Sequence, residues 1–125
     1  MAAVEPFDRV IVLCERLAEA TRLGDVEWGT EGEDTYVWGH DEGVVAIGTR
    51  DRDGQPPHAL SIFNGEREKV EELGSALVDD DQPAPWNVPL ADLYRVARRS
   101  ALHADEIIDA LIAALPARAA ARSEA

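Results

Sequence analysis

A chain of 125 residues, 46% of them hydrophobic, is long enough for one core and too short for two ordinary domains. The net charge of −13, from 25 acidic and 12 basic residues, argues against direct nucleic-acid binding, because such a surface repels phosphate. The apolar runs are short, Val10 to Cys14 among them, and fall far short of the roughly 20 residues of a bilayer-spanning helix.

The amino-terminal stretch lacks the basic and long apolar regions of a secretory signal, and a single cysteine, Cys14, permits no intramolecular disulfide. The expectation is a cytoplasmic protein with no membrane association. Lys69 is the only lysine and alanine is abundant, a composition typical of a GC-rich bacterial genome.

In chain order, Pro6 suits the first turn of a helix, and Phe7, Val10, Ile11, Cys14, Leu17, Ala18 and Thr21 recur at three- and four-residue spacing until Gly24, predicting a helix over 6–22. Cys14 lies on its apolar face, which reads as a buried structural thiol. The period then changes. Residues 26–28, 35–38, 44–49 and 59–63 are short, β-branched and aromatic, and separated by glycine and aspartate clusters, so a meander of three to four antiparallel strands is expected. Alternation puts Tyr36 and Trp38 on one face of their strand, and Leu60 and Ile62 on one face of theirs. Trp28 and Trp38 read as core residues.

Asn64-Gly65 signals a turn. After it Val70, Leu73 and Leu77 keep a helical spacing, so 66–77 reads as a short helix, with an edge strand at 69–73 as the alternative. Residues 79–89 form a connector rich in aspartate and proline. Leu90, Tyr94, Ala97, Ala101, Ala104, Ile108, Leu111 and Leu115 then alternate spacings of four and three, predicting one helix of about 26 residues, roughly 39 Å long. Its central alanines suit close packing on the first helix or the sheet. Its carboxy-terminal half is long enough to overhang so small a core and meet a second copy or a partner. The fold class is therefore α+β, a helix, a meander, a short element and a long final helix, with a single domain over 1–116 and a frayed tail over 117–125.

Charge is concentrated in the middle of the chain. Residues 1–24 sum to −1, 25–81 to −12 with sixteen acids and four bases, and 82–125 to zero. Such a middle attracts a basic protein surface; acidity that serves solubility alone is the plainer reading. The candidate partner-binding residues are Asp41 and Glu42 in a hairpin loop, Asp79, Asp80 and Asp81 in the connector, Trp86 beside them, and Arg98 and Arg99 in the basic cluster of the long helix. Trp86 either staples that helix to the body or stands exposed as an anchor, and the arginines either balance the acidic sheet or meet acids on a partner.

Chemistry is sparsely represented. His40, His58 and His103 are dispersed, and only His103 with Glu106 forms a ligand-type pair at helical spacing, fewer than the three or four donors a zinc or iron site takes. Asp51-Arg-Asp-Gly54 has the start of a calcium loop without its third ligand or closing glutamate. No phosphate loop, nucleophile elbow or supported serine is present, and nothing selects one carboxylate pair for glycosidase chemistry. No catalytic residue, cofactor or metal is expected.

Thr21-x-x-Gly24-x-Val26-x-Trp28, with Leu90-x-x-Leu93-Tyr94-x-x-Ala97-Arg98-Arg99-x-Ala101, resembles a loose group of small uncharacterised bacterial proteins with a helix, a β-meander and a long final helix. The resemblance implies that order of elements and an accessory role beside larger effector proteins, and supplies no catalytic residue. In size, acidity and element order the chain is also similar to type III secretion chaperones, which implies homodimers that bind effector segments. The functional expectation is a non-catalytic interaction module, an adaptor or immunity-like inhibitor. A homodimeric chaperone and a carboxylate-based enzyme are the alternatives.

Overall fold

The computed structural model describes residues 5–50, 57–78 and 82–116. The first helix, α1, spans Glu5–Arg22 and buries Val10, Cys14, Leu17 and Ala18, the single face that the three- and four-residue spacing dictates. It ends where Gly24 takes φ +84°, its amide donating to Thr21 O at 3.1 Å and that of Asp25 to Ala20 O at 2.9 Å. This pair of bonds closes a helix only around a left-handed residue, which glycine adopts without strain.

Five antiparallel strands follow in sheet order β1 to β5: Gly29–Thr30, Thr35–His40, Gly43–Thr49, His58–Asn64 and Lys69–Gly74. Ile47 pairs with Tyr36 on one side and Leu60 on the other, and Leu60 with Leu73, so period-two alternation sends all four to one face, where all are buried. The expected strand at 26–28 lies later, at β1. Trp28 is withdrawn from the sheet into the core, its backbone amide donating to Ser100 Oγ at 3.0 Å and its indole to Thr21 Oγ1 at 2.9 Å, so it ties α1 to the carboxy-terminal region.

The segment expected to be a short helix is strand β5. Asn64 Oδ1 accepts from the amides of Glu66 and Glu68, each at 2.9 Å, and turns the chain back along β4. A bulge between Ile62 and Phe63 leaves Val70 unpaired and 57% exposed, while Leu73 is buried. Val70 and Leu73, although spaced for a helix, thus lie in a strand, because backbone pairing with β4 outweighs the local periodicity. A separate pair of two-residue strands, β6 at Leu77–Val78 and β7 at Gln82–Pro83, leads to the final helical region.

That region is two helices. The first, α2, spans Asn87–Ala101 and the second, α3, Ala104–Ala114. They part at Leu102 and at His103, which has φ 55° and ψ 43°. The apolar stripe runs unbroken through the interruption and gives no sign of it, since a single left-handed torsion at a residue type that tolerates it suffices. Helix α2 crosses the inner face of the sheet. At one end the Trp86 indole donates to Gly74 O on β5 at 2.8 Å; at the other Ser100 receives the Trp28 amide just before β1. Between them Leu90, Leu93 and Ala97 are fully buried, and α1 packs along α2. Arg22 Nη2 reaches Asp92 Oδ1 at 2.5 Å, with Arg95 Nη2 at 3.2 Å on the same oxygen, and the Arg22 hydrogen bond leads in holding that carboxyl below the usual range. Among the described residues no helix is long and apolar enough to cross a membrane.

Candidate interaction surface

Helix α3 leaves the body at the β1 side, beyond Ser100, and buries none of its eleven residues. Ile107, Ile108, Leu111 and Ile112, with Leu115 just after the helix, are each between 43% and 64% exposed. At 100° per residue these five fall within an arc of about 140°, the width of a core-facing stripe. The acids Asp105, Glu106 and Asp109 lie off that stripe and toward the amino-terminal end, where carboxylates also favour the helix dipole. An isolated helix of this length is marginal in water, and a contiguous exposed apolar patch of several hundred Å² marks an interaction surface.

Where α3 joins α2, a cleft of about 380 Å³ opens between α1 and both helices. Its charged lining, Arg22, Glu27, Arg99, His103, Asp105 and Glu106, is largely engaged within the protein. Arg99 Nη2 meets Asp105 Oδ1 at 2.5 Å, His103 Nδ1 stands 3.7 Å from Glu106 Oε2, and Arg22 is held by Asp92. The Arg99–Asp105 and His103–Glu106 contacts thus span the junction between the two helices.

A second surface is assembled by strand register. Gly43 pairs with Asn64, so the turns β2–β3 and β4–β5 emerge at the same end of the sheet. A Cβ on Gly65 would stand 3.1 Å from Asp41 O, which measures how closely the two tips approach. Asp41 and Glu42 from one tip and Glu66 and Glu68 from the other are all exposed, with Arg67 and Lys69 interleaved on the second tip. Sequence reasoning selected the first pair and passed over the second, whose proximity follows only once the register is known.

At the opposite end of the strands a buried polar node joins sheet to helix. Asp34, with φ 50°, accepts from Thr49 Oγ1, from Tyr36 OH at 3.3 Å and from Tyr94 OH at 2.5 Å, and the His58 ring lies 4.8 Å from that of Tyr94. Burial, then the Asp34 carboxylate, pushes both tyrosine hydroxyls up from their ordinary range, so they stay protonated donors. Burial lowers the His58 pKa against the opposing pull of Asp34. This constellation was not legible in the sequence, since its members are dispersed from 34 to 94. His58 and Thr49 are buried. The evident work of the group is cohesive: satisfied hydrogen bonds across the sheet–helix junction.

Of the residues singled out in the sequence, Trp86 is 8% exposed, so the ring is part of the core and its N–H is spent on Gly74. Asp79, Asp80 and Asp81 lie outside the described residues, as do Asp51 to Asp53 and the tail at 117–125. Arg98 is exposed and close enough to Tyr36 to influence its hydroxyl, whereas Arg99 pairs with Asp105 and its neighbour Arg95 with Asp92. Cys14 is 1% exposed, and burial, with Glu15 nearby, pushes its thiol up to about 12. Among the described residues no group of three or more histidines, cysteines and carboxylates is arranged to hold a metal ion. No family model, curated protein or solved structure matches this chain.

Proposed function

We propose that the protein is a non-catalytic interaction module of the bacterial cytoplasm, an adaptor or immunity-like inhibitor, whose docking element is α3. The observation that carries this reading is the unpartnered helix: five large aliphatic side chains on one stripe, none buried. Covering such a stripe removes apolar surface from water at about 25 cal/mol per Å² and supplies the burial that so short a helix requires. A polypeptide is the natural cover. The net acidic end of the sheet, with Asp41, Glu42, Glu66 and Glu68 against Arg67 and Lys69, adds a directional term, steering a basic protein surface toward the module and repelling nucleic acid. A buried, proton-holding Cys14 suits a reducing compartment.

The test is a photo-crosslinker placed at Leu111 of the full chain in its native host, with Val12, an exposed apolar residue of α1, as the control position. A discrete adduct at 111 and none at 12 is expected. Equal or absent labelling at both positions removes the module reading. A basic partner captured through the acidic end should dissociate as salt rises; a salt-insensitive complex would leave the acidic end without that role.

A further inference from the structure

We infer that the cover of α3 is α3 of a second copy, paired antiparallel about a two-fold axis near Leu111. This rests on the module reading and names its partner. The apolar area is of the right size. Ile107, Ile108, Leu111, Ile112 and Leu115, at their observed exposures, offer roughly 500 Å² of aliphatic surface per copy and about 1,000 Å² across a symmetric pair, the lower limit for a specific interface. A two-fold seam needs no second patch elsewhere on the molecule, because each stripe is its own complement.

The charge pattern selects the direction. All three acids of α3, Asp105, Glu106 and Asp109, lie in its first six residues, and 110–115 carry no charge. Antiparallel pairing sets each acidic turn beside the uncharged end of the other helix. Parallel pairing would stack acid on acid over the same turn, which is unfavourable at such spacing. Within the stripe itself there is no charge to desolvate. The two-fold pair leaves the acidic sheet ends of both copies outside the seam and doubles them, so that a basic partner with two sites is bound with avidity.

Self-pairing has a salt dependence opposite in sign to that of a complex with a basic protein. Each copy carries −13, so screening relieves repulsion between copies while the apolar seam is unaffected or strengthened. Sedimentation of the full chain from about 1 to 200 µM, at about 0.05 and 0.5 M NaCl, is expected to give twice the 13.6 kDa chain mass, with tighter association at the higher salt. Leu111→Glu places an unpaired carboxylate at the centre of the seam and should weaken association by at least about a hundredfold, with near-ultraviolet tryptophan signals unchanged because Trp28 and Trp86 lie in the core. Val12→Glu should leave it intact. A 13.6 kDa species across the whole range at both salts, or a Leu111→Glu dimer as tight as the wild type, overturns the pairing. The crosslinker at 111 separates the two levels: an adduct of the chain with itself supports the pairing, whereas an adduct only with a different polypeptide overturns it and leaves the module reading standing.

Discussion

Helices α2 and α3 continue one apolar stripe at the same spacing, yet α2 buries Leu90, Leu93, Tyr94, Val96, Ala97 and Ala101 while α3 buries nothing. The difference is not in the pattern but in what lies opposite. Beneath α2 are Ile47, Leu60 and the α1 face of Cys14 and Leu17; beyond Ala101 the sheet has ended at β1. A stripe therefore states that a face must be covered, and leaves the cover to be found elsewhere.

The sharpest way to break this contrast is to truncate one leucine on each side of it. Leu93→Ala, at a fully buried position, should cost about 3–4 kcal/mol through lost transfer energy and the cavity left behind. Leu111→Ala in dilute, unassociated protein should stay within about 0.5 kcal/mol. Denaturant unfolding followed by tryptophan fluorescence measures both; comparable losses would mean that α3 is covered within the chain.

The alkaline limb tests the α1–α2 packing through Cys14. Burial raises the Cys14 thiol from 9.0 to about 12, so above the unfolded pKa the unfolded chain releases a proton that the native state keeps. Stability then falls as pH rises between 9 and 12, by about 1.4 kcal/mol per pH unit from this group. Cys14→Ala should remove that increment of slope, though the raised Tyr36 and Tyr94 contribute in the same direction above pH 10. An unchanged slope in the variant would place the thiol in contact with water.

A further small effect is expected at the junction. His103 holds φ 55°, which costs a residue with a Cβ about 1 kcal/mol. His103→Gly should stabilise the break by up to about 1 kcal/mol, less the greater entropy of the unfolded chain. If the variant is instead destabilised by more than that, the contact of His103 with Glu106 fixes the junction rather than the torsion.

Much of the fold was legible beforehand for a physical reason. Periodicity reports burial directly, so α1, the strands β2, β3 and β4, the shared face of Tyr36 and Trp38 and the buried state of Cys14 follow from residue spacing. Competition between elements is where such reading fails. Val70, Leu73 and Leu77 satisfy a helix, but Asn64 and a waiting β4 edge draw Val70 and Leu73 into a strand and leave Leu77 to the next one; Val26 to Trp28 satisfy a strand, but two hydrogen bonds draw Trp28 into the core. The candidate surface divides the same way. Its apolar residues stood in the stripe from the start, as did Asp41 and Glu42, whereas Glu66 and Glu68 joined them only through register.

By itself the sequence determined an acidic α+β chain, the apolar face of each major element and the concentration of charge in the middle third. Only the tertiary structure decided that Trp86 is core, that Asp34, Tyr36, Thr49, His58 and Tyr94 meet, and that the final stripe is cut at His103 with its second half uncovered. Local patterns record which atoms avoid water. What they touch instead depends on contacts between residues far apart in the chain, and these exist only when every element has been placed.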